Sequence, residues 1–168
     1  MAIVSSAAAG LRTASRATIV QLRAPGLSAA ALEREATVLV AATSIPVLVS
    51  ARCDVALAAG AAGVNLPESD ISISAARALL GLRLVGRSVH SIQGASQAER
   101  EGADFVIFGP VWESPSHPGT PAVGLGSLTE LVRSLGIPVL AIGGVTEERV
   151  AEILASGAAG YAAIRLFE

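Results

Sequence analysis

The segment from Ile137 to Ile164 constrains the fold more than any other part of the chain, because it predicts a complete strand–turn–helix–strand unit. Its apolar run at 137–142 does not alternate, which is typical of a strand covered on both faces in a parallel sheet. The glycine pair Gly143 and Gly144 follows, and Thr146 is suited to cap a helix there. Glycines let backbone amides approach an anion, and a helix N-terminus attracts negative charge. The segment therefore predicts a phosphate-binding turn, with a tight turn that holds no ligand as the alternative.

The composition favours one α/β domain spanning residues 1–168. Apolar residues make up 52% of the chain and aromatic residues 3%, a composition typical of parallel α/β proteins. A net charge of −2 argues against nucleic-acid binding. All 12 basic residues are arginine, which excludes lysine Schiff-base chemistry and offers planar groups for anions. The one cysteine, Cys53, allows no internal disulfide and is consistent with a reducing compartment.

Neither a membrane segment nor a secretory signal is expected. Charges and Pro or Gly residues interrupt every window of about 20 residues, so none reads as a spanning helix. The first residues lack the early positive charge and long apolar run of a secretory signal. We therefore expect a soluble cytoplasmic protein that has neither a membrane nor a nucleic-acid partner.

Strand-like and helix-like segments alternate along the chain. Strands are predicted at Ala2–Val4, 17–22, 46–50, Gly63–Leu66, 83–88, 104–108, 137–142 and 160–164. Helices are predicted at 28–43, 53–59, 74–80, 92–101, 127–135 and 146–156. Strand spacings of about 20 residues suit compact βα units.

This alternation predicts a compact (β/α)8 TIM barrel with a shortened first unit and a missing final helix. Part of the outer wall would then be bare or covered by another subunit of a homo-oligomer. An open doubly wound sheet is the alternative, but no G-x-G-x-x-G turn follows an early strand.

Polar residues at the carboxyl ends of barrel strands are the candidates for function. The candidates are Gln21, Arg23, Ser50, Arg52, Asn65, Asp70, Ser88, His90 and Arg165. Converging arginines would bind an anion, although any one of them could be a solvated surface charge. His90 is suited to act as a general base or simply precedes a helix cap. Asp70 alone is more typical of a helix N-terminus than of a metal site, because a divalent cation usually takes a second carboxylate.

Five segments, in order, resemble the thiamine phosphate synthase and thiazole tautomerase superfamily. They are QLRAPGLS, DVALAAGAAGVNLPESD, VGRSVHS, GADFVIFGPVWES and IPVLAIGGVTEERV…GAAGYA. The resemblance covers nearly the whole chain. It implies a (β/α)8 barrel that handles a thiazole phosphate and, for the synthase, also a pyrimidine pyrophosphate with Mg²⁺.

The resemblance transfers the synthase's charged residues only in part. The pyrophosphate motif Gln-x-Arg-x-Lys matches at Gln21 and Arg23, but Pro25 replaces the lysine. One magnesium aspartate falls on Ala51, and the second matches Asp70, which is the implied metal ligand. The resemblance also implies that Arg52, which follows Ala51, fits the pattern, that Asn65 stands where the family has histidine or glutamine, and that Ser116 and His117 replace a threonine–lysine pair.

The thiazole-phosphate cradle is matched more completely. Gly126 and the pair Gly143 and Gly144 match it, while Arg165 stands at a position usually held by a small polar residue. NLPESD and GRSVHS resemble the tautomerase branch, yet the tautomerase histidine after strand six is Pro110 here.

Three functions follow as hypotheses from this comparison. The first is a synthase that condenses both substrates with arginine assistance. The second is a thiazole tautomerase with His90 as base, and His117 as a weaker candidate. The third is a non-catalytic protein that binds thiazole phosphate. The candidate catalytic residues are His90, Arg52 and Ser88.

Overall fold

The computed structural model describes residues 1–114 and 119–168, in which eight strands alternate with seven α-helices. The strands are β1 Ala2–Val4, β2 Val20–Leu22, β3 Val47–Ser50, β4 Gly63–Leu66, β5 Leu84–Val89, β6 Phe105–Phe108, β7 Val139–Ile142 and β8 Gly160–Ala162. The helices are α1 Ala7–Thr13, α2 Ala29–Ala42, α3 Cys53–Ala58, α4 Ile73–Leu80, α5 Ile92–Arg100, α6 Gly124–Ser134 and α7 Glu147–Ala155. Two 3-10 turns, Ala14–Arg16 and Arg165–Phe167, flank the first and last units.

The strands form one parallel sheet in the order β1 to β8, and this sheet is nearly closed into a barrel. The seam between β8 and β1 has one isolated bridge, Ala2 to Ala163, and the Met1 ammonium also donates across it to the Tyr161 carbonyl at 2.7 Å. The Ile3 amide donates to the Ala163 carbonyl at 2.9 Å, and the Ala163 amide donates to the Met1 carbonyl at 3.1 Å. The predicted (β/α)8 barrel is therefore confirmed.

Two apolar layers follow from the alternation of side chains along each strand. In β3, Val47 and Val49 point to the layer between strands and helices, whereas Leu48 points into the barrel. The barrel interior is filled by Met1, Ile3, Leu48, Phe105, Ile107 and Ala162. Filling by bulky side chains makes the interior a packed core, so ligands must bind at its mouth.

Serines begin several helices, as local sequence signals indicate. Ser28 accepts a hydrogen bond from the Ala31 amide at 3.3 Å, and Ser72 accepts one from Ala75 at 3.1 Å. Thr146 occupies the predicted N-cap of α7, but its side chain caps no amide. Its hydroxyl instead bonds the Glu148 carboxylate, which lowers the pKa of that group.

The sixth helix begins earlier than predicted. It starts at Gly124 rather than Ser127, because the Val123 amide donates to Pro110 at 2.8 Å and the Gly124 amide donates to Val111 at 3.1 Å. The loop after β6 is correspondingly shorter than the predicted 110–126.

The first βα unit is short, as predicted, because helix α1 has only seven residues. The described residues after β8 form one 3-10 turn. Among the described residues, no helix combines the length and apolarity needed to cross a membrane.

Candidate active site

A cavity of about 220 Å³ opens where the strands end at their carboxyl termini. This is the end of a (β/α)8 barrel at which active sites lie. Ile3, Ile107 and Ile142 form its apolar floor. Its polar and backbone lining comes from Gln21, Arg23, Ser50, Asn65, Glu68, Ser88, His90, Gly109, Pro110, Thr120 and Gly143. Thus the fold brings seven of the predicted site residues together: Gln21, Arg23, Ser50, Asn65, Ser88, His90 and Gly143.

Two buried amide side chains give the cavity its polar character. Gln21 in β2 is 2% exposed and Asn65 in β4 is 3% exposed. Asn65 donates through Nδ2 to the Ser88 hydroxyl at 2.9 Å. Within the described ranges, neither Gln21 Oε1 nor Asn65 Oδ1 accepts a hydrogen bond. A buried acceptor left unpaired costs about 1–3 kcal/mol, so these oxygens are suited to accept hydrogen bonds from a ligand.

An acid–base pair lies at the rim of the cavity. The Nδ1 atom of His90 is 2.6 Å from Oε2 of Glu68, and the His90 amide donates to Oε1 at 3.3 Å. Glu68 was not singled out by sequence reasoning, which considered Asp70 in the same NLPESD segment. The only available signal was its place in the loop after β4, since the turn that aims its side chain is not encoded locally.

The glycine turn after β7 has the backbone that its sequence predicts. Gly143 and Gly144 have φ angles of +93° and +65°, a region that favours glycine. Gly143 lines the cavity, whereas Gly144 faces Trp112 and Arg149. Arg149 donates to the Gly144 carbonyl at 2.7 Å, and its guanidinium carbon lies 4.8 Å from the centroid of the Trp112 ring. The outer side of the turn is therefore fixed by protein contacts, and its inner side faces the cavity.

Two predicted charged residues lie outside the cavity lining. Arg52 donates to both oxygens of Asp54, at 2.8 and 2.5 Å. This hydrogen-bonded pairing raises the pKa of Arg52 and lowers that of Asp54. Asp70 accepts from the Ile71 amide at 2.7 Å and lines a separate groove beside Glu101. Arg52 is thus engaged by its neighbour, and Asp70 is engaged by the loop that carries it.

Two other predicted residues are also displaced from the cavity. Gly126 lies in the first turn of α6 and is exposed. Arg165 does not end β8 but begins the following 3-10 turn, where it is exposed. Ser116 and His117 fall outside the described residues.

The residues present do not fit a magnesium site by themselves. Ala51 supplies no carboxylate, and Asp70 lines the neighbouring groove rather than the cavity. Across residues 1–114 and 119–168, no three His, Cys, Asp or Glu side chains are grouped so as to hold a metal ion.

The fold and cavity define a (β/α)8-barrel protein with an open cavity at the carboxyl ends of its strands. A family model described as thiamine monophosphate synthase matches residues 2–167, and the chain belongs to that family.

Curated relatives agree with this assignment. A thiamine-phosphate synthase of Methanoculleus marisnigri is 41% identical over 165 residues, which cover 93% of this chain and 76% of that protein. A putative thiamine-phosphate synthase of Geobacter sulfurreducens is 48% identical over 120 residues, covering 70% of this chain. The match spans only 56% of the Geobacter protein's length.

A solved structure has the same architecture. The thiamine phosphate pyrophosphorylase of Pyrococcus furiosus superposes with a TM-score of 0.89 at 29% identity. The match covers 97% of this chain and 83% of that one.

Proposed function

We propose that the chain acts in thiamine biosynthesis as a thiamine-phosphate synthase. The family match across residues 2–167 carries this proposal. The substrates would be a thiazole phosphate and a pyrimidine pyrophosphate. In the reaction, the thiazole nitrogen forms a bond to the pyrimidine methylene carbon, and the carbon–oxygen bond to pyrophosphate breaks with its electron pair leaving on oxygen.

The cavity supplies groups for binding and orientation. The free acceptors Gln21 Oε1 and Asn65 Oδ1 would accept hydrogen bonds from the pyrimidine amino group. Arg23, which is exposed at the rim, would bind the departing pyrophosphate, since guanidinium forks match phosphate oxygens. The Gly143 turn would hold the thiazole phosphate. Four predicted site residues do not line the cavity, so no direct contact with a substrate is proposed for them: Arg52, Gly126, Gly144 and Arg165.

Mg²⁺ is the cofactor that the family resemblance implies, with Asp70 as its predicted ligand. Because the described residues do not make a metal site, no step is assigned to the ion. The predicted homo-oligomer and the cytoplasmic location likewise stay predictions.

Turnover of both substrates tests the proposal. Purified protein with Mg²⁺, the thiazole phosphate and the pyrimidine pyrophosphate is expected to form thiamine phosphate, measured by fluorescence after oxidation to thiochrome phosphate. Arg23→Gln should lower the rate, while the matched change Arg34→Gln on the exposed face of α2 should not. If calorimetry detects binding of thiazole phosphate but no product forms, the result favours the non-catalytic binding protein. The absence of both binding and product would overturn the proposal.

A second candidate function is thiazole tautomerisation, which the His90–Glu68 contact favours. Tautomerisation needs one group that removes a proton from the heterocycle and returns it elsewhere. His90 lines the cavity and is the only histidine in the described residues. His90→Asn is expected to abolish tautomerase turnover in the preparation used for the synthase assay, and unchanged turnover would remove this candidate.

A further inference from the structure

We propose that Glu68 is a positioning residue for His90 and that a loop anchored by Arg87 holds it in place. The proposal rests on the second candidate function above, because it concerns the proton that His90 would move. Nothing in the sequence patterns distinguished Glu68 or Arg87. The inference comes from the contacts that join β4, β5 and α5.

Arg87 fixes the loop between β4 and α4. It lies in β5 and is 6% exposed, so its guanidinium must be satisfied within the protein. It donates to the carbonyls of Pro67 and Ile71 at 2.5 Å each, and to that of Glu68 at 3.4 Å. A buried cation that donates to three carbonyls of one loop leaves the backbone of that loop little freedom. The Cα of Glu68 is thereby set beside the end of β5.

The carboxylate of Glu68 reaches a space kept free by Gly94. A Cβ at Gly94 would lie 2.7 Å from Glu68 Oε1, closer than atoms pack. The same carboxylate accepts from the His90 amide at 3.3 Å, immediately before Ser91 caps α5. The N-terminus of this helix favours a negative charge there. Backbone anchoring, a free space and the helix terminus therefore converge on one position for the carboxylate.

This position decides which nitrogen of His90 carries the proton. Glu68 Oε2 lies 2.6 Å from Nδ1, so the neutral imidazole donates from Nδ1 and keeps its lone pair on Nε2. Nε2 can then take a proton from a bound heterocycle and return it to another ring atom. The imidazolium formed in between is paired with Glu68, and no co-reactant is consumed.

Stability does not account for this pair. The side chains of His90 and Glu68 are 56% and 41% exposed, and an ion pair so open to solvent contributes little to stability. A purely structural carboxylate could thus be removed at little cost. A positioning carboxylate could not be removed without changing the imidazole tautomer.

The tautomer of His90 tests the proposal directly, and it is measured by nitrogen-15 NMR of the histidine-labelled protein without substrate. The signals are assigned with His90→Asn, because the chain has two histidines. At a pH where the imidazole is neutral, the wild-type protein should hold the Nδ1-protonated form. Glu68→Ala should shift His90 toward the Nε2-protonated form that free imidazole side chains prefer. Glu33→Gln, an exposed change on α2, should leave the signals unchanged. A wild-type His90 protonated on Nε2 would overturn the proposal.

Turnover of thiazole phosphate gives the second readout. Glu68→Ala should lower kcat roughly tenfold with little change in KM, a part of the ~10²–10⁴-fold that a positioned base contributes. Glu68→Asp should recover part of the rate. Unchanged kcat in Glu68→Ala would overturn the positioning role. If the wild-type protein has no tautomerase activity, the candidate function fails, and the substrate-free tautomer measurement still decides the role of Glu68.

Gly94→Ala tests the same geometry without removing a charge. The added methyl displaces the end of a flexible glutamate side chain, so the fold should tolerate it. Alanine also has a higher helix propensity than glycine. We expect the variant to be at least as stable as the wild-type protein and to show the tautomer shift of Glu68→Ala. Retention of the wild-type tautomer would contradict the argument from space.

Discussion

At the scale of the residue, the buried amide side chains of the cavity lower the stability of the fold but are suited to bind a ligand. Gln21 Oε1 and Asn65 Oδ1 are removed from water and accept no hydrogen bond from the described residues. Apolar side chains of similar size would avoid this cost. The residues in register with Gln21 on the neighbouring strands are apolar: Ile3 in β1 and Leu48 in β3. A polar residue in such a layer is therefore best explained by a ligand that completes its hydrogen bonds.

Gln21→Met tests this trade. The change keeps the volume of the side chain but removes the unpaired oxygen, so the free energy of unfolding should stay equal or rise by about 1–3 kcal/mol. Affinity for thiazole phosphate or pyrimidine pyrophosphate should fall in the same preparation. Chemical denaturation and calorimetry measure the two effects. Leu48→Ala in the same layer should lose about 2–5 kcal/mol and shows that the assay detects damage. A clear loss of stability in Gln21→Met would mean that the amide is already satisfied.

Residue identity alone could predict which side chains were polar at strand ends, but not their partners. Gln21, Asn65 and Ser88 were predicted because strand ends converge at the mouth of any barrel. Arg52 was predicted on the same basis, yet its neighbour Asp54 binds it at 2.5 Å. Such competition between a ligand and a nearby carboxylate is settled by side-chain geometry, which a spacing pattern does not contain.

At the scale of the element, local signals set helix beginnings only where the capping group is local. Ser28 was predicted as an N-cap, and its hydroxyl accepts from the amide three residues later. The start of α6 was placed three residues too late, because amides of Val123 and Gly124 bond carbonyls that follow β6. Those partners lie more than ten positions away in the chain, beyond any local pattern.

Two helix N-termini allow a side-chain cap to be compared with a helix start that lacks one. Ser72 accepts from the Ala75 amide at 3.1 Å, whereas Thr146 caps no amide with its side chain. Ser72→Ala should therefore cost about 0.5–2 kcal/mol of unfolding free energy, and Thr146→Ala should cost clearly less. Urea denaturation measured by circular dichroism compares the variants. Equal losses would show that the hydroxyl contact of Thr146 with Glu148 stabilises α7 as well as a cap would.

At the scale of the whole molecule, the barrel follows from repetition, and its seam does not. The strand spacing predicts eight units and a shortened first unit. How β8 meets β1 depends on the register of every strand between them, which accumulates around the barrel. In the structure, β1 pairs with the residue just beyond β8 through one bridge, between Ala2 and Ala163. Neighbouring strands elsewhere pair over three or four residues, as β4 and β5 do from Gly63 to Leu66.

The seam should therefore open before the rest of the sheet. Hydrogen exchange reports local opening, and strands with fewer cross-strand bonds open at lower free energy. Amides of Ile3 and Ala163 are expected to exchange faster than those of Val85 and Val106 in the central strands, although all four residues are buried. Mass spectrometry of peptides from native protein measures the difference. If the cavity beside the seam binds thiazole phosphate, saturating ligand should slow exchange at Ile3, which lines the cavity, more than at Val85, which does not. Equal protection of seam and central strands would mean that the single bridge closes the barrel as firmly as a full strand pairing.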